Sequence, residues 1–598
     1  MVKARRSTDC GTVILHATIV GAFAILVATG LRIATDDPDS QWLMHLDPLL
    51  PGEDLWYYHL LSGAVLSAAL LAYVVYMRRA RLQARVRLDR VRVLALLQPG
   101  DSRRAALGVF VYWLMMIALV AEVATGIDLF AGGGRTVLAL HRDITFLCIA
   151  TVIAHVALHA SHGGLSQLLR VFRPAPLVLA PTPPDIADLL AEEIAKRSAA
   201  PPSEEAAPKP TGRGTAEPKE DVTLQSHPLA TALVAALTVL GIAVGAERAT
   251  RPVLHIVGVS PAQAPVLDGE ISDPVWAKTM PVTVLTTQGG DFGGTHQSMV
   301  EIRAVHDGTY AYFAFVWDDP TRSLKHMPLF KRGGRWYIAA SRDDLADESR
   351  FNEDKFAVLL APPGFPLIGP AIHLARRPIS DKPPSSTGRG LHFTTGGLAD
   401  VWQWRASHGG VVGHIDNCHF GNPALPDAQP RDPAYQYSGG FALDPGQAGY
   451  ESNVVESKDE AGNTVLLPRR LPRDLTAASA ALGRISDRHG ESESDGARWW
   501  MSVSETVSYS VERDAEIPDG TVIANIIVPD AVEGTSTSIR GAARWAAGRW
   551  TLELARRLYT ASHLDVPIKS GVLMWVAAFD HAEKRHTRHL RPFRLEVD

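Results

Sequence analysis

The sequence predicts a two-part fold: an all-α transmembrane four-helix bundle with a fifth transmembrane helix, followed by an all-β sandwich. Three observations carry that expectation. Five apolar stretches, 13–33, 56–77, 107–130, 136–160 and 228–246, approach or reach the ~20 residues that cross a bilayer. From Arg251 onward the pattern changes to period two, with Val, Trp, Phe and Tyr enriched between Gly, Asp and Pro turns. Residues 171–226, which include PTPP and APPSEEAAPKP, are too polar and too rich in breakers to form a core. A chain of 598 residues with 46% hydrophobic residues suits a protein that is part membrane and part soluble.

The loops between the spans set their direction. Lys3, Arg5 and Arg6 precede the first span; residues 34–55 hold six acids and no Lys or Arg; residues 78–106 hold nine arginines. The positive-inside rule therefore places the N-terminus and the second loop in the cytoplasm and the acidic loop outside. No cleavable signal peptide is expected at 13–33, because further spans follow at once. The domains expected are 1–170, a four-helix membrane domain; 171–226, a disordered cytoplasmic linker; 227–247, a fifth span that returns the chain to the outside; and 252–598, a periplasmic β-sandwich. The setting expected is a bacterial inner membrane.

Within the β-rich part, SMVEIRAVHDGTYAYFAFVWDDP reads as a hairpin around Asp307-Gly308, and DKFAVLLAPP, ADVWQWRAS, GRWTLELARRL, GVLMWVAAFD and PFRLEVD read as further strands. Residues 406–495 carry few strand signals and read as a long insertion. Trp402, Trp404, Trp545 and Trp550 are expected in the core. Asp318, Asp319 and Asp354 could hold calcium, although acids beside hairpin turns are usually solvated.

The fourth apolar stretch carries the clearest chemistry. His141 and His155 lie fourteen residues apart, which on a helix is roughly 21 Å of rise and returns both imidazoles to nearly one face. Histidine inside a span is costly enough to suggest function. By depth, His16 near the inner face can meet His155, and His59 near the outer face can meet His141. Two bis-imidazole sites on opposite sides of the bilayer suit two low-spin b-type haems. Gly21, Gly63 and Ala154 would leave room for them. His159, eighteen residues from His141, competes with His155 but would sit nearer the membrane edge; His45 and His162 read as solvated.

Composition excludes other chemistries. Cys10, Cys148 and Cys418 are far apart and form no C-x-x-C pair, which argues against a disulfide scaffold, a thiolate zinc site, an iron–sulfur cluster and covalent c-type haem. The net charge of -5 argues against nucleic acid as a partner. Gly132, Gly133 and Gly134 lack the flanking strand and lysine of a phosphate loop.

With His16, His59, His141 and His155 in place, residues 10 to about 170 resemble the bacterial dihaem cytochrome b superfamily, the membrane subunits of formate dehydrogenases and nickel-iron hydrogenases. That resemblance implies electron exchange between the quinone pool and a partner on the outside. Residues 266–598 resemble the haem-binding family typified by the gamma subunit of ethylbenzene dehydrogenase, through LDGEISDPVWAK, YAYFAFVWDDPTRSLKHMPLFK, NEDKFAVLL, GLHFTTGGLADVWQWRA and RWAAGRWTLELARRL with GVLMWVAAFDH. In the type member a methionine and a lysine hold one b-type haem. Lys569 stands where the resemblance implies the lysine, and His392 occupies the segment where the methionine belongs. His326 and Met327 are alternatives, and His581, His586 and His589 follow.

The function expected is a relay between the quinone pool and a periplasmic redox protein, a c-type cytochrome or molybdenum oxidoreductase, through two membrane haems and one periplasmic haem. Two other classes fit the sequence: a haem-edge oxidoreductase acting on superoxide or ferric complexes, and a membrane-anchored ligand-binding sensory module.

Overall fold

The computed structural model describes residues 8–35, 38–51, 55–175, 177, 227–339, 350–363, 373–374, 392–393, 398–408, 413–420, 441–444, 450–459, 461–529, 539–582 and 585–598. Most of the stretch expected as a linker lies outside them. Among the described residues, five helices are long and apolar enough to cross a membrane: α1 (Cys10–Ala34), α2 (Leu55–Arg79), α3 (Asp101–Ala131), α4 (Arg135–Leu168) and α5 (Pro228–Thr250). Each extends a few residues past its apolar stretch, because a helix continues into polar flanks until a breaker stops it. In α4 that breaker is Gly164, whose φ of 60° interrupts the helical run.

The chain folds as two compact units. One is drawn from Met1–Gly21, Val65–Ile117 and Cys148–Gly241. Its core is built on alanines at i, i+4 spacing, Ala68 and Ala72 of α2 with Ala232 and Ala236 of α5, alongside Leu15 and Tyr76. Small residues at that spacing let two helix backbones approach closely without a water-driven term. At the start of α1, the buried Asp9 carboxylate accepts hydrogen bonds from the Tyr76 hydroxyl at 2.6 Å and from Arg85 Nη1 at 2.8 Å.

The other unit comprises Ala22–Ala64, Ala118–Leu147 and Ile242–Asp598. It holds a twelve-stranded sheet. Its strands are β1 (Val253–Gly258), β2 (Val282–Thr287), β3 (Gln297–His306), β4 (Tyr310–Asp318), β5 (Lys355–Ala361) and β6 (Ala399–Arg405). They continue with β7 (Asp416–Phe420), β8 (Phe441–Leu443), β9 (Ile539–Ala546), β10 (Arg549–Arg557), β11 (Leu573–Phe579) and β12 (Phe593–Val597). The order across the sheet is β8-β7-β6-β5-β11-β12-β1-β3-β4-β10-β9, with β2 paired to β3. Neighbours are antiparallel except where β1 lies parallel to β12 and to β3.

Strands from separate places in this order share one core, as in a sandwich. Phe313, Phe315 and Trp317 of β4 then meet Phe356 of β5 and Trp402 and Trp404 of β6 in one core. Trp317 stacks on Phe356 at 4.5 Å between ring centroids, and Trp404 meets Trp550 edge-on at 4.8 Å. The Asp307-Gly308 hairpin forms as read from the sequence: Asp307 Oδ1 accepts the amides of Thr309 and Tyr310 while Gly308 takes a φ of 91°.

The stretch 406–495, strand-poor by its sequence, contributes β7 and β8 to the large sheet. It also contributes the short strands Val454–Lys458, Thr464–Pro468 and Arg470–Pro472 to smaller ones. These strands are only three to five residues long, too short for alternation to stand out among Gly, Pro and charged residues.

One buried ion-pair group crosses the sandwich core. Arg556 of β10 is fully buried, with Asp400 of β6 at 2.7 Å and Asp565 at 3.1 Å, and its guanidinium lies 5.0 Å from the Trp402 ring centroid.

Candidate cofactor site

His59 enters from the first turns of α2 and His141 from the second turn of α4. Their ring centroids are 6.4 Å apart and the rings are nearly perpendicular, at 78°. Each Nδ1 is held by a threonine one helix away: Thr29 Oγ1 lies 3.0 Å from His59 Nδ1, and Thr125 Oγ1 lies 2.8 Å from His141 Nδ1. Both threonine hydroxyls also reach the carbonyl four residues back, Ile25 and Ala121. Donating there, they accept from the imidazoles, which fixes the tautomer and leaves each Nε2 as the lone-pair nitrogen.

Beside them, Gly30 and Gly126 face the rings. A Cβ at Gly30 would come within 3.2 Å of His59 Cε1, and one at Gly126 within 3.4 Å of His141 Cε1. Of the small residues expected to leave room, Gly63 faces Leu26, and a Cβ at Gly21 would meet open space among the described residues.

This arrangement fits a haem iron. Two metal–nitrogen bonds of about 2 Å each, plus the distance from each nitrogen to its ring centre, account for a separation of this size. One further side chain reaches the pair. Glu122 of α3 has Oε1 at 3.3 Å from His141 Nε2 and accepts a hydrogen bond from the Thr145 hydroxyl at 2.5 Å. A search of the sequence for histidines passes over it, although a lone carboxylate in an apolar run carries the same signal as a lone histidine.

The second set lies wholly in the other unit. His155 and His159 are edge-to-face at 4.5 Å between ring centroids, and His16 is in electrostatic reach of both. The structure therefore gathers three histidines where depth alone pairs His16 with His155 and sets His159 aside. His155 Nδ1 is buried without a hydrogen-bond partner among the described residues. No threonine fixes it as Thr29 and Thr125 fix the other pair.

In the β-rich part, Lys569 is exposed in the turn before β11. His392 forms a two-residue strand with Phe393 against His373–Leu374, and its side chain lies outside the described residues. His326 is buried beside Glu353 and His408, while Met327 takes a φ of 42° next to it. His589 is a satisfied core imidazole: its Nε2 accepts the Val576 amide at 3.0 Å, and burial pushes its pKa down to about 4. His586 Nδ1 lies against the Thr587 carbonyl, and His581 Nδ1 against Asp580. Burial opposes the charged form of His581, but Asp580 and Asp354 outweigh it and raise its pKa to about 9.

Two acids expected in solvent are instead buried. Asp319 and Asp354 converge with Asp580 so that ligand oxygens lie within 4.8 Å of one another. Burial first, and then the neighbouring carboxylates, push the pKa of Asp319 and Asp354 upward. Asp318, one residue from Asp319, pairs at the surface with Arg549 at 2.7 Å.

Residues 273–591, more than half of the chain, match the family model for ethylbenzene dehydrogenase. The chain belongs to the ethylbenzene dehydrogenase family. Residues 7–174 match the model for prokaryotic cytochrome b561. This member of the family is therefore a membrane protein whose helical part is a b-type cytochrome domain, a binder of b-type haem engaged in electron transfer.

No curated protein matches the chain. Solved structures similar to it include a family 9 carbohydrate-binding module from Caldicellulosiruptor kristjanssonii in complex with glucose. It is 9% identical with a TM-score of 0.19, over 58% of this chain and 95% of that one. The cellotriose complex of a family 9 module from the same organism is 9% identical with a TM-score of 0.19, over 57% and 93%.

The unit that holds His59 and His141 also holds the β-sandwich, and it ties the two together. Arg135, at the start of α4, donates to the Gly294 carbonyl at 2.6 Å, and its amide donates to Gln297 Oε1 at 3.3 Å. The Arg588 guanidinium lies 5.0 Å from the Trp56 ring centroid, three residues before His59. Arg591 reaches the Glu247 carbonyl at 2.9 Å near the end of α5.

Proposed function

We propose that this chain relays electrons between the quinone pool and a periplasmic redox protein, a c-type cytochrome or a molybdenum oxidoreductase. Its route consists of two membrane haems, on His59 with His141 and on His16 with His155, and a third b-type haem in the β-sandwich. The observation that carries the reading is the His59–His141 pair. Its rings stand apart by the width of an axially ligated iron, their Nδ1 atoms are held by threonines, and glycines clear the space beside them.

Bound there, haem supplies a reversible one-electron step. The chain's own work is to hold two neutral imidazoles on rigid helices, so that little rearranges when charge arrives. Arg135 and Arg588 hold the sandwich against the helix ends of that pair, and Arg591 holds it to the end of α5. In the sandwich, Lys569 and His392 are the ligands proposed, with His326 and Met327 as alternatives. The loop asymmetry supports a cytoplasmic N-terminus and a periplasmic sandwich in a bacterial inner membrane.

Pyridine haemochrome analysis of the purified chain tests the count. Three b-type haems are expected per chain, partly reducible by a quinol. One haem or none overturns the relay.

A further inference from the structure

The sandwich carries a second donor set, which uses His326 in a different role from the alternative haem ligand named above and leaves Lys569 and His392 to the relay. Glu353 stands just ahead of β5, and His408 three residues beyond β6. Because β5 and β6 are antiparallel, with Arg405 opposite Lys355, both side chains emerge at the same end of the sheet. The loop after β4 brings His326 to that end.

Three backbone links clamp these segments: Asp354 N to Ser323 O at 2.8 Å, Ala406 N to Asp354 O at 3.0 Å, and Met327 N to Phe351 O at 2.7 Å. Ser407 adds two more, donating its amide to Glu353 Oε2 at 2.5 Å and its hydroxyl to the Leu324 carbonyl.

With Oε2 held by Ser407, Glu353 turns Oε1 toward two imidazoles. His326 Nδ1 is 3.4 Å from it, and His408 Nδ1 is in direct contact with it. The three residues offer one ligand atom each within 4.8 Å of one another, and they are 8%, 0% and 3% exposed. Their order is His326, Glu353, His408. The two imidazole centroids are 4.2 Å apart, and Tyr450 packs edge-on against His408 at 4.4 Å. That spacing is well below the 6.4 Å of the His59–His141 pair. It leaves no room for a macrocycle between the rings, but it suits one compact ion touched by all three donors.

Two imidazoles and one carboxylate on one side of a point, with positions left open on the other, form the donor set of mononuclear iron(II) and zinc(II) sites. The hydrogen bond from the Ser407 amide to the non-coordinating oxygen is the kind of outer contact that orients a ligating carboxylate.

We propose that His326, Glu353 and His408 bind one non-haem divalent transition-metal ion of the iron(II) or zinc(II) class. The detergent-purified full chain, stripped with a chelator, is loaded with iron(II) under anaerobic conditions or with zinc(II), and metal is then counted in excess of haem iron. One extra ion per chain is expected with at least one of the two metals, and the arm that retains it identifies the metal. Glu353→Gln and His408→Asn should weaken retention at least about tenfold, with haem content unchanged.

A chelator-reversible rise in melting temperature of the wild-type chain on loading gives a readout independent of any variant. The proposal falls if the wild-type chain retains neither metal, if both variants retain it as the wild type does, if loading leaves the melting temperature unmoved, or if His408→Asn loses haem while keeping the extra ion.

Discussion

At the scale of single residues, the threonines are the most telling part of the membrane site. An imidazole whose Nδ1–H is given to a hydroxyl is a somewhat stronger donor at Nε2 and favours the oxidised metal. Thr125→Val removes an interaction worth about 1 kcal/mol but leaves the ring in place. The expected outcome is unchanged haem content with the midpoint potential of one haem raised by some tens of millivolts in a redox titration. His141→Leu removes the ligand itself, and the count should fall by one haem per chain in the haemochrome assay. Equal haem content in His141→Leu and wild type would refute the assignment. The Glu122 carboxylate next to this ligand stays silent in a reading that searches only for histidines.

At the scale of elements, the buried charges of the sandwich dominate. Arg556 neutralises Asp400 and Asp565 across the core, so Arg556→Ala leaves two carboxylates buried without their cation. That costs on the order of 3–5 kcal/mol, readable as a lower urea midpoint followed by tryptophan fluorescence. Glu553 of β10 accepts the amides of Asp268 and Gly269 at 3.0 Å and the Trp276 indole at 2.8 Å, and so ties the segment before β2 to the sheet. Burial nonetheless pushes its pKa up from the ordinary glutamate value to about 7. The folded chain then keeps a proton that the unfolded chain releases, so this group's contribution falls as pH rises from about 4.5 to about 7. Unfolding midpoints should decline over that window in the wild type and less steeply in Glu553→Gln, because Asp319 and Asp354 are shifted the same way; equal slopes in the two contradict the shift.

The elements also show what the sequence could and could not disclose. Apolar runs of bilayer length are long enough that composition alone finds the five helices, and loop arginines supply only an expected order of depth for the histidines. Strands of seven to ten residues, such as β3, β4 and β6, announce themselves by alternation. Strands of three to five residues between prolines and glycines do not. The cluster of His326, Glu353 and His408 is hidden for another reason. Its members are scattered along the chain and meet only because β5 and β6 pair in one particular register. Asp319 and Asp354 look solvated in the sequence because hairpin acids usually are, and only the sandwich closing over them makes them buried.

At the scale of the whole molecule, the His59–His141 pair and the sandwich share one compact unit, tied by Arg135, Arg588 and Arg591. The seam of that unit is the parallel contact of β1 with β12, Leu254 facing Leu595 in register. Its consequence concerns the making of the protein. β1 leaves the ribosome directly after α5, yet the strand that joins it to the other half of the sheet lies at residues 593–597. Until then the strands made so far hold an open edge, with unpaired amides and carbonyls exposed to whatever chain is nearby. Closure of so non-local a sheet is slow. Protection from aggregation, and insertion of any prosthetic group between the two halves of the sheet, must therefore wait for the same late event.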